Sequence, residues 1–442
     1  MIHTKDLKLP EGTDILTMPH PESAVNPRQM VADALENPIG SPQLEQIIAS
    51  KSGRAEELTA CIVISDSTRP VPYKGEAGIL YPLVEKLMNS GVPASGILVL
   101  VATGTHRGQT DSELRDMLDP RLFELPVRVE NHDCHNEENL SFLGKTGRGS
   151  DILINSDYVN SDIKILTGLV ESHFMAGASG GRKSICPGLI GEKSTFIFHG
   201  APMLADERSC ALNLEGNLCH DEALDMARVA GADFIVNVTL DGNFDLTGVF
   251  AGHLEKAHEA AVAHLKSYTA IHVERKYDIV LTHGGFVGIN HYQAAKAGVE
   301  AARIVKEGGY VLMVADNTDT DPIGSLAYRT MLQLLKLTGR EAFDRTILSP
   351  DWTFIPEQWQ VQMWNRMFKV IPQDHFYYMS PQFSDSEYRI CPGEKLSDLS
   401  GLQNGTPAEH LSAAVANLKE KLGDEISICW MADGPYGVPL YE

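Results

Sequence analysis

Residues 61–70 read CIVISDSTRP, and residues 97–107 read ILVLVATGTHR. In both, an unbroken apolar run rich in β-branched residues stops abruptly at a polar turn carrying Asp, Thr, Arg or His. Continuous apolar runs of this length predict strands buried on both faces. The pattern recurs at 163–166 (IKIL), 234–240 (FIVNVTL), 279–281 within DIVLTHGG, 310–315 (YVLMVA) and, late in the chain, 426–431 (ISICWM). Helical periodicity fills the gaps at 76–90, 221–230, 254–268, 292–306 and 408–422. Strands alternating with helices predict an α/β chain with largely parallel sheets. In such sheets ligands sit beyond the carboxyl ends of strands, which is where the two polar turns fall.

The chain has 442 residues, enough for two large or three ordinary domains at roughly 150 residues each. The segment HLEKAHEAAVAHLKSYTAIHVERKYD (253–278) reads as a long, charged amphipathic helix, after which a new strand–turn–helix unit begins. It predicts a helical linker over 255–277, between α/β domains at 1–254 and 278–404. With 37 Lys and Arg against 59 Asp and Glu, the formal charge is −22. That balance argues against nucleic acid or an anionic membrane surface as partner. No apolar run approaches the ~20 residues of a membrane span, and the first residues lack the apolar core of a secretory signal. Seven cysteines, at 61, 134, 186, 210, 219, 391 and 429, form no CxxC pair, which predicts reduced thiols in a cytoplasmic protein.

Several groups of residues can carry chemistry. Asp66, Thr68 and Arg69 follow the first run; a ribose, phosphate or carboxylate would suit them, and so would an Asx or ST turn paired to the arginine. His106 follows the second run at a position fit for general acid–base work near neutral pH, or for a helix start on the surface. The densest stretch is ESHFMAGASGGRKSICPG (171–188). Its glycines, with Gly180 and Gly181 adjacent, then Arg182 and Lys183, suggest backbone N–H groups approaching an anion. It is neither GxxxxGK[ST] nor GxGxxG. Lys183 is also a candidate for covalent attachment, because amines acylate and form Schiff bases. His199 precedes Gly200 and by itself reads as structural. Gln293 and Lys296, three apart, share one face of a predicted helix. Residues 131–135 (NHDCH) look metal-rich, but no second ligand pair follows at zinc spacing, so they read as a polar turn.

In order along the chain, DSTRP (66–70), GTHR (104–107), SHFMAGASGGRKSICPG (172–188), HG (199–200), GN (216–217) with His220 and Asp221, YQAAK (292–296) and EQWQVQ (357–362) resemble the lactate racemase family that uses a nickel-pincer nucleotide. The match runs from about residue 60 to 365. The resemblance implies that His106 and His173 are paired acid/base histidines. It implies that Lys183 carries the cofactor, a pyridinium-3-thioamide-5-thiocarboxylic acid mononucleotide, and that His199 ligates its nickel. Asp66, Thr68, Gly180, Gly181 and Trp359 would contact the cofactor, and Arg69, Tyr292, Gln293 and Lys296 the substrate. It further implies a site in the cleft between domains, a C-terminal segment (about 405–442) returning to the N-terminal, cofactor-carrying domain, and partner enzymes that make the cofactor. The substrate would be lactate or a related 2-hydroxy acid: malate, a longer or aromatic acid, or a sugar acid. The family's GYPxDxN pattern is replaced here by Phe286 and Gly288 at its Pro and Asp positions. Two other readings of the residues are a nicotinamide-dependent 2-hydroxyacid dehydrogenase, which the missing GxGxxG disfavours, and an inactive nickel- or anion-binding homologue.

Overall fold

The computed structural model describes residues 2–441. The chain divides into two compact units, one of His20–His199 and Asp206–Ser267, the other of the residues up to Pro19, Gly200–Ala205 and everything from Tyr268 on.

The first unit is built on a six-stranded sheet ordered Leu246–Gly252, Phe234–Leu240, Ile163–Leu169, Ala60–Ser65, Ile97–Ala102, Arg128–Asn131. All neighbours run parallel except the first pair. The central strands are buried along almost their whole length, as the apolar runs require. Helices Leu80–Asn89 and Leu218–Ala230 belong to this unit. Asn217 caps the second of these, its side-chain oxygen accepting from the N–H groups of Cys219 and His220, so that orphan donors at the helix start are satisfied.

The second unit has its own six-stranded sheet, entirely parallel: Asp14–Leu16, Ile428–Met431, Tyr277–His283, Val305–Val314, Phe376–Met379, Glu394–Lys395. Ala270–Val273 and Val438–Tyr441 add a separate parallel pair. Asn290 caps helix His291–Ala301 by accepting from Gln293 N–H at 2.9 Å.

This division corrects the sequence-based boundaries in three places. Residues 405–442 do not return to the N-terminal domain. Ile428–Met431 lies inside the second sheet, between Tyr277–His283 and Asp14–Leu16, with Trp430 buried among Ile279, Leu281 and Leu411. The first 19 residues join the same unit through the Asp14–Leu16 pairing. The chain passes from one unit to the other inside 255–277, at Ser267–Tyr268, but not through a free linker: helix Leu254–Thr269 buries Ala257, Ala261, Val262 and Leu265 and belongs to the first unit up to Ser267. The helix expected over 292–306 ends at Ala301, because Val305 already pairs with Tyr277 in the sheet. Among the described residues no helix is long and apolar enough to cross a membrane, and all seven cysteines are free thiols.

Helix Gln358–Phe368 packs on His291–Ala301 through Trp364, 1 % exposed, whose indole N–H donates to the Tyr328 hydroxyl at 2.9 Å. Gly298 makes room for it: a Cβ there would stand 2.6 Å from the Trp364 ring. Trp364→Ala is therefore expected to cost about 3–5 kcal/mol, read as a lower urea midpoint in the unfolding transition of this unit.

Candidate active site

In the first unit the three central strands end side by side, and their next residues form the site. Asp66, one residue past Ala60–Ser65, is 4 % exposed. Its Oδ1 accepts from the N–H and hydroxyl of Thr68, at 3.1 and 2.5 Å. Its Oδ2 lies 2.7 Å from His106 Nδ1. Burial alone pushes the Asp66 carboxyl up, but the bonds from His106 and Thr68 outweigh it and hold the group below the usual carboxylate range. The Asx turn is therefore present, yet Arg69 is paired elsewhere, with Glu171 at 2.9 Å. His106 follows Ile97–Ala102, and its ring stays 60 % exposed while its Nδ1 is held by the buried acid.

His173 lies past Ile163–Leu169, in a short hairpin with Gly177–Ala178. Its Nδ1 accepts from the backbone N–H groups of Met175 and Ala176 at 3.3 and 3.2 Å. Its Nε2 is 3.4 Å from Lys183 Nζ. Lys183 sits in the tight turn Gly181–Ser184, its amine over the Phe198 ring at 5.2 Å from the centroid. Burial first, then the charges of Arg182 and Arg69, push this amine down to about 7. His199, at the end of helix Glu192–Phe198, has its ring 4.5 Å from that of Phe198. Burial, and next the charge of Lys183, push its imidazole down to about 3, so it stays neutral.

Packing by itself calls for glycine in this loop. A Cβ on Gly177 would lie 2.2 Å from the Asn213 carbonyl oxygen, and one on Gly181 would lie 2.7 Å from the His258 ring. The Gly181 N–H donates to Asn237 Oδ1 at 3.0 Å, and the Lys183 N–H to the Gly180 carbonyl. These amides are spent inside the chain. Arg182 is 1 % exposed and donates to the carbonyls of Ala176 and Gly180. It also touches His258 Nε2 at 3.0 Å. Sequence reasoning missed Arg182, Glu171, Asn237 and His258 as supports. For His258 no signal existed, since its helix reads as a charged surface element.

Four candidates lie on the second unit. On helix His291–Ala301, Tyr292, Gln293 and Lys296 are the partly exposed positions, with Ala294, Ala295 and Ala297 buried behind them. Trp359 Nε1–H donates to the Tyr292 hydroxyl at 2.7 Å, and Phe354 stacks on Trp359 at 5.8 Å. Gln358, Gln360 and Gln362 of EQWQVQ are staples: Gln358 accepts from Trp352, Gln360 donates to the Tyr292 carbonyl, and Gln362 donates to the Ala201 carbonyl.

In the NHDCH stretch (131–135), His132 is buried, with Nε2 3.1 Å from the Ile190 carbonyl and Nδ1 3.3 Å from the Asn155 side-chain nitrogen. Among the described residues no group of three or more His, Cys, Asp or Glu side chains could cage a metal ion.

An ionised acid holds one histidine, backbone amides hold a second and a desolvated amine lies beside the latter, all past the carboxyl ends of a parallel sheet, where α/β enzymes bind their ligands. Two family models match the chain, the lactate racemase N-terminal domain over residues 3–211 and the lactate racemase C-terminal domain over 273–380. The lactate racemase of Lactiplantibacillus plantarum is 31% identical over 354 residues, 80% of each chain. That of Thermoanaerobacterium thermosaccharolyticum is 29% identical over 339 residues, 76% of each. The structure of the lactate racemase apoprotein from the latter organism superposes with a TM-score of 0.83 at 26% identity, covering 98% of this chain and 96% of that one. A Thermotoga maritima protein shares the fold, with a TM-score of 0.64 at 14% identity. The chain belongs to the lactate racemase family, a family of isomerases.

Proposed function

We propose that the chain inverts C2 of a 2-hydroxy acid, lactate or a close relative, with a nickel-pincer nucleotide carried on Lys183. The donor set supports this group. Lys183 offers an amine pushed down to about 7, so a large fraction is unprotonated and able to be acylated at neutral pH. His199 offers a neutral imidazole. A lone imidazole is no cage for a free ion, but it suits a metal whose other, softer donors arrive on an organic group. When bound, that group supplies a reversible acceptor for the hydride of the Cα–H bond.

The chain's own residues do the rest. Direct abstraction of a proton beside a carboxylate is costly; removing the hydroxyl proton instead is ordinary work for an imidazole. His106, held by Asp66, takes or returns that proton, and His173 addresses the substrate oxygen as the second member of the pair. Arg69 and Lys296 neutralise the substrate carboxylate, the arginine through its planar fork. Tyr292 and Gln293 supply further polar contacts, and Trp359 fixes the Tyr292 hydroxyl. Cofactor-making enzymes are the implied partners, because an amine alone makes no nucleotide.

The observation that carries the reading is the desolvated Lys183 amine 3.4 Å from His173. The test is a chirality-resolved assay of cofactor-loaded protein on lactate, 2-hydroxybutyrate, phenyllactate, malate and gluconate. Inversion of one member is expected. No inversion of any member by a chain whose mass shows the Lys183 adduct would refute the substrate class.

A further inference from the structure

The two histidines are not held in the same way. A neutral imidazole carries one N–H, and the partner of one ring nitrogen decides which nitrogen keeps it. For His106 the partner of Nδ1 is a carboxylate, which only accepts. Asp66 Oδ2 at 2.7 Å therefore places the proton on Nδ1 and leaves Nε2 bare. For His173 the partners of Nδ1 are two backbone N–H groups, from Met175 and Ala176, which only donate. Nδ1 is the bare nitrogen here, and the proton sits on Nε2, on the side of Lys183 Nζ.

The His173 arrangement is braced from behind. The Met175 carbonyl, in the same peptide unit as the Ala176 N–H, accepts from the Asn217 side-chain amide at 3.0 Å. The Ala176 carbonyl accepts from Arg182 at 2.7 Å. Asn217 is itself fixed as the cap of helix Leu218–Ala230, and Arg182 is fully enclosed. The peptide that carries the Ala176 N–H is thus tied to Asn217, and the peptide that follows it to Arg182. On the other side, Asp66 is fixed through Oδ1 by both donors of Thr68.

We propose that the chain sets its acid/base histidines in opposite tautomers, with Asp66 as the positioning residue for His106 and the Asn217- and Arg182-braced amides as the positioning groups for His173. The inference rests on reading the two as the acid/base pair. In the resting chain, proton uptake starts at His106 Nε2, while His173 presents a fixed N–H donor to the substrate oxygen. For His173 to act as base at Nε2, its proton must move to Nδ1, against two amide hydrogens.

The test reads the tautomers directly. The chain labelled with ¹⁵N-histidine, before any group is attached, is examined by long-range ¹H–¹⁵N correlation, with His106 and His173 assigned from His106→Gln and His173→Gln. The expected spectrum has its bare-type nitrogen at Nε2 in His106 and at Nδ1 in His173. Asp66→Asn, whose amide can donate to Nδ1, should reverse His106 and leave His173 unchanged. In loaded protein it should lower kcat on the order of 10²–10⁴-fold with little change in KM. The same tautomer at both rings, or an unchanged kcat in Asp66→Asn, would overturn the proposal. The unmodified chain's spectrum decides the tautomers even if the variant fails to fold, and independently of whether any hydroxy acid is inverted.

Discussion

Lys183→Met is expected to end both cofactor attachment and racemisation. The intact mass of the variant, produced beside the proposed cofactor-making enzymes, should equal that of the bare chain, and inversion should fall to background. The loss would span most of the roughly 10⁶-fold or greater acceleration that enzymes supply, because the hydride acceptor would be missing rather than misplaced. Folding should survive. The amine is desolvated, with His173 Nε2 at 3.4 Å and the Phe198 ring beneath it, and an apolar side chain of similar length removes a group that is costly to bury. The pH dependence of attachment carries a second signature. Only the unprotonated amine attacks an acyl carbon. With its pKa pushed down to about 7, the attachment rate should rise with pH through about 7 and level off above it, whereas an ordinary lysine would keep gaining toward its unperturbed value of about 10.4. Full turnover by Lys183→Met, or a rate still climbing steeply between pH 8 and 10, would contradict the role given to this residue.

Much of this site is visible in one-dimensional order, for a physical reason. In a parallel sheet the residues after a strand's carboxyl end lie at one edge. The apolar runs at 61–65, 97–102 and 163–166 thus put the turns that carry Asp66, His106 and His173 at one sheet edge once the strands are recognised. What the sequence hides is which partner each side chain takes. Arg69 sits in DSTRP and would naturally pair with Asp66, yet Asp66 is claimed by His106 and Arg69 by Glu171, over a hundred residues away in the chain. Arg182 beside Lys183 reads as part of an anion-binding loop, but three-dimensional enclosure makes it a buried clamp on the Ala176 and Gly180 carbonyls. The glycines at 177, 180 and 181 read as an anion cradle, because close packing and phosphate binding call for the same residue. The packing demand shows only once Asn213, His258 and Asn237 are in place. The assignment of the chain's two ends failed likewise: strands 14–16 and 428–431 pair with each other, and nothing local to either announces a partner at the opposite end of the chain.

Removing His106 should have two separable effects. In loaded protein, His106→Ala is expected to lower kcat on the order of 10²–10⁴-fold, the usual worth of a positioned acid–base group, while the Lys183 adduct still forms. The second effect falls on Asp66. In the wild-type chain its folded pKa lies below the ordinary value, so near pH 4 the folded chain binds fewer protons at this site than the unfolded one. Its contribution to stability is present above the ordinary carboxylate pKa and is lost as pH falls through the depressed one. Burial is the largest influence on Asp66 and acts upward; the His106 bond is the largest of those opposing it. With His106 gone, Thr68 remains as the main opposition, and the folded pKa rises. If it passes the unfolded value the sign reverses, and acidification through that range favours folding at this site. Urea unfolding of wild type and His106→Ala between pH 3.5 and 7 reads this directly. The stability lost by the variant should be greatest at pH 7 and should shrink toward pH 4. A difference that is constant with pH would mean that the short contact between Asp66 and His106 does nothing to keep the acid ionised, and His106 would then have to find its orientation elsewhere.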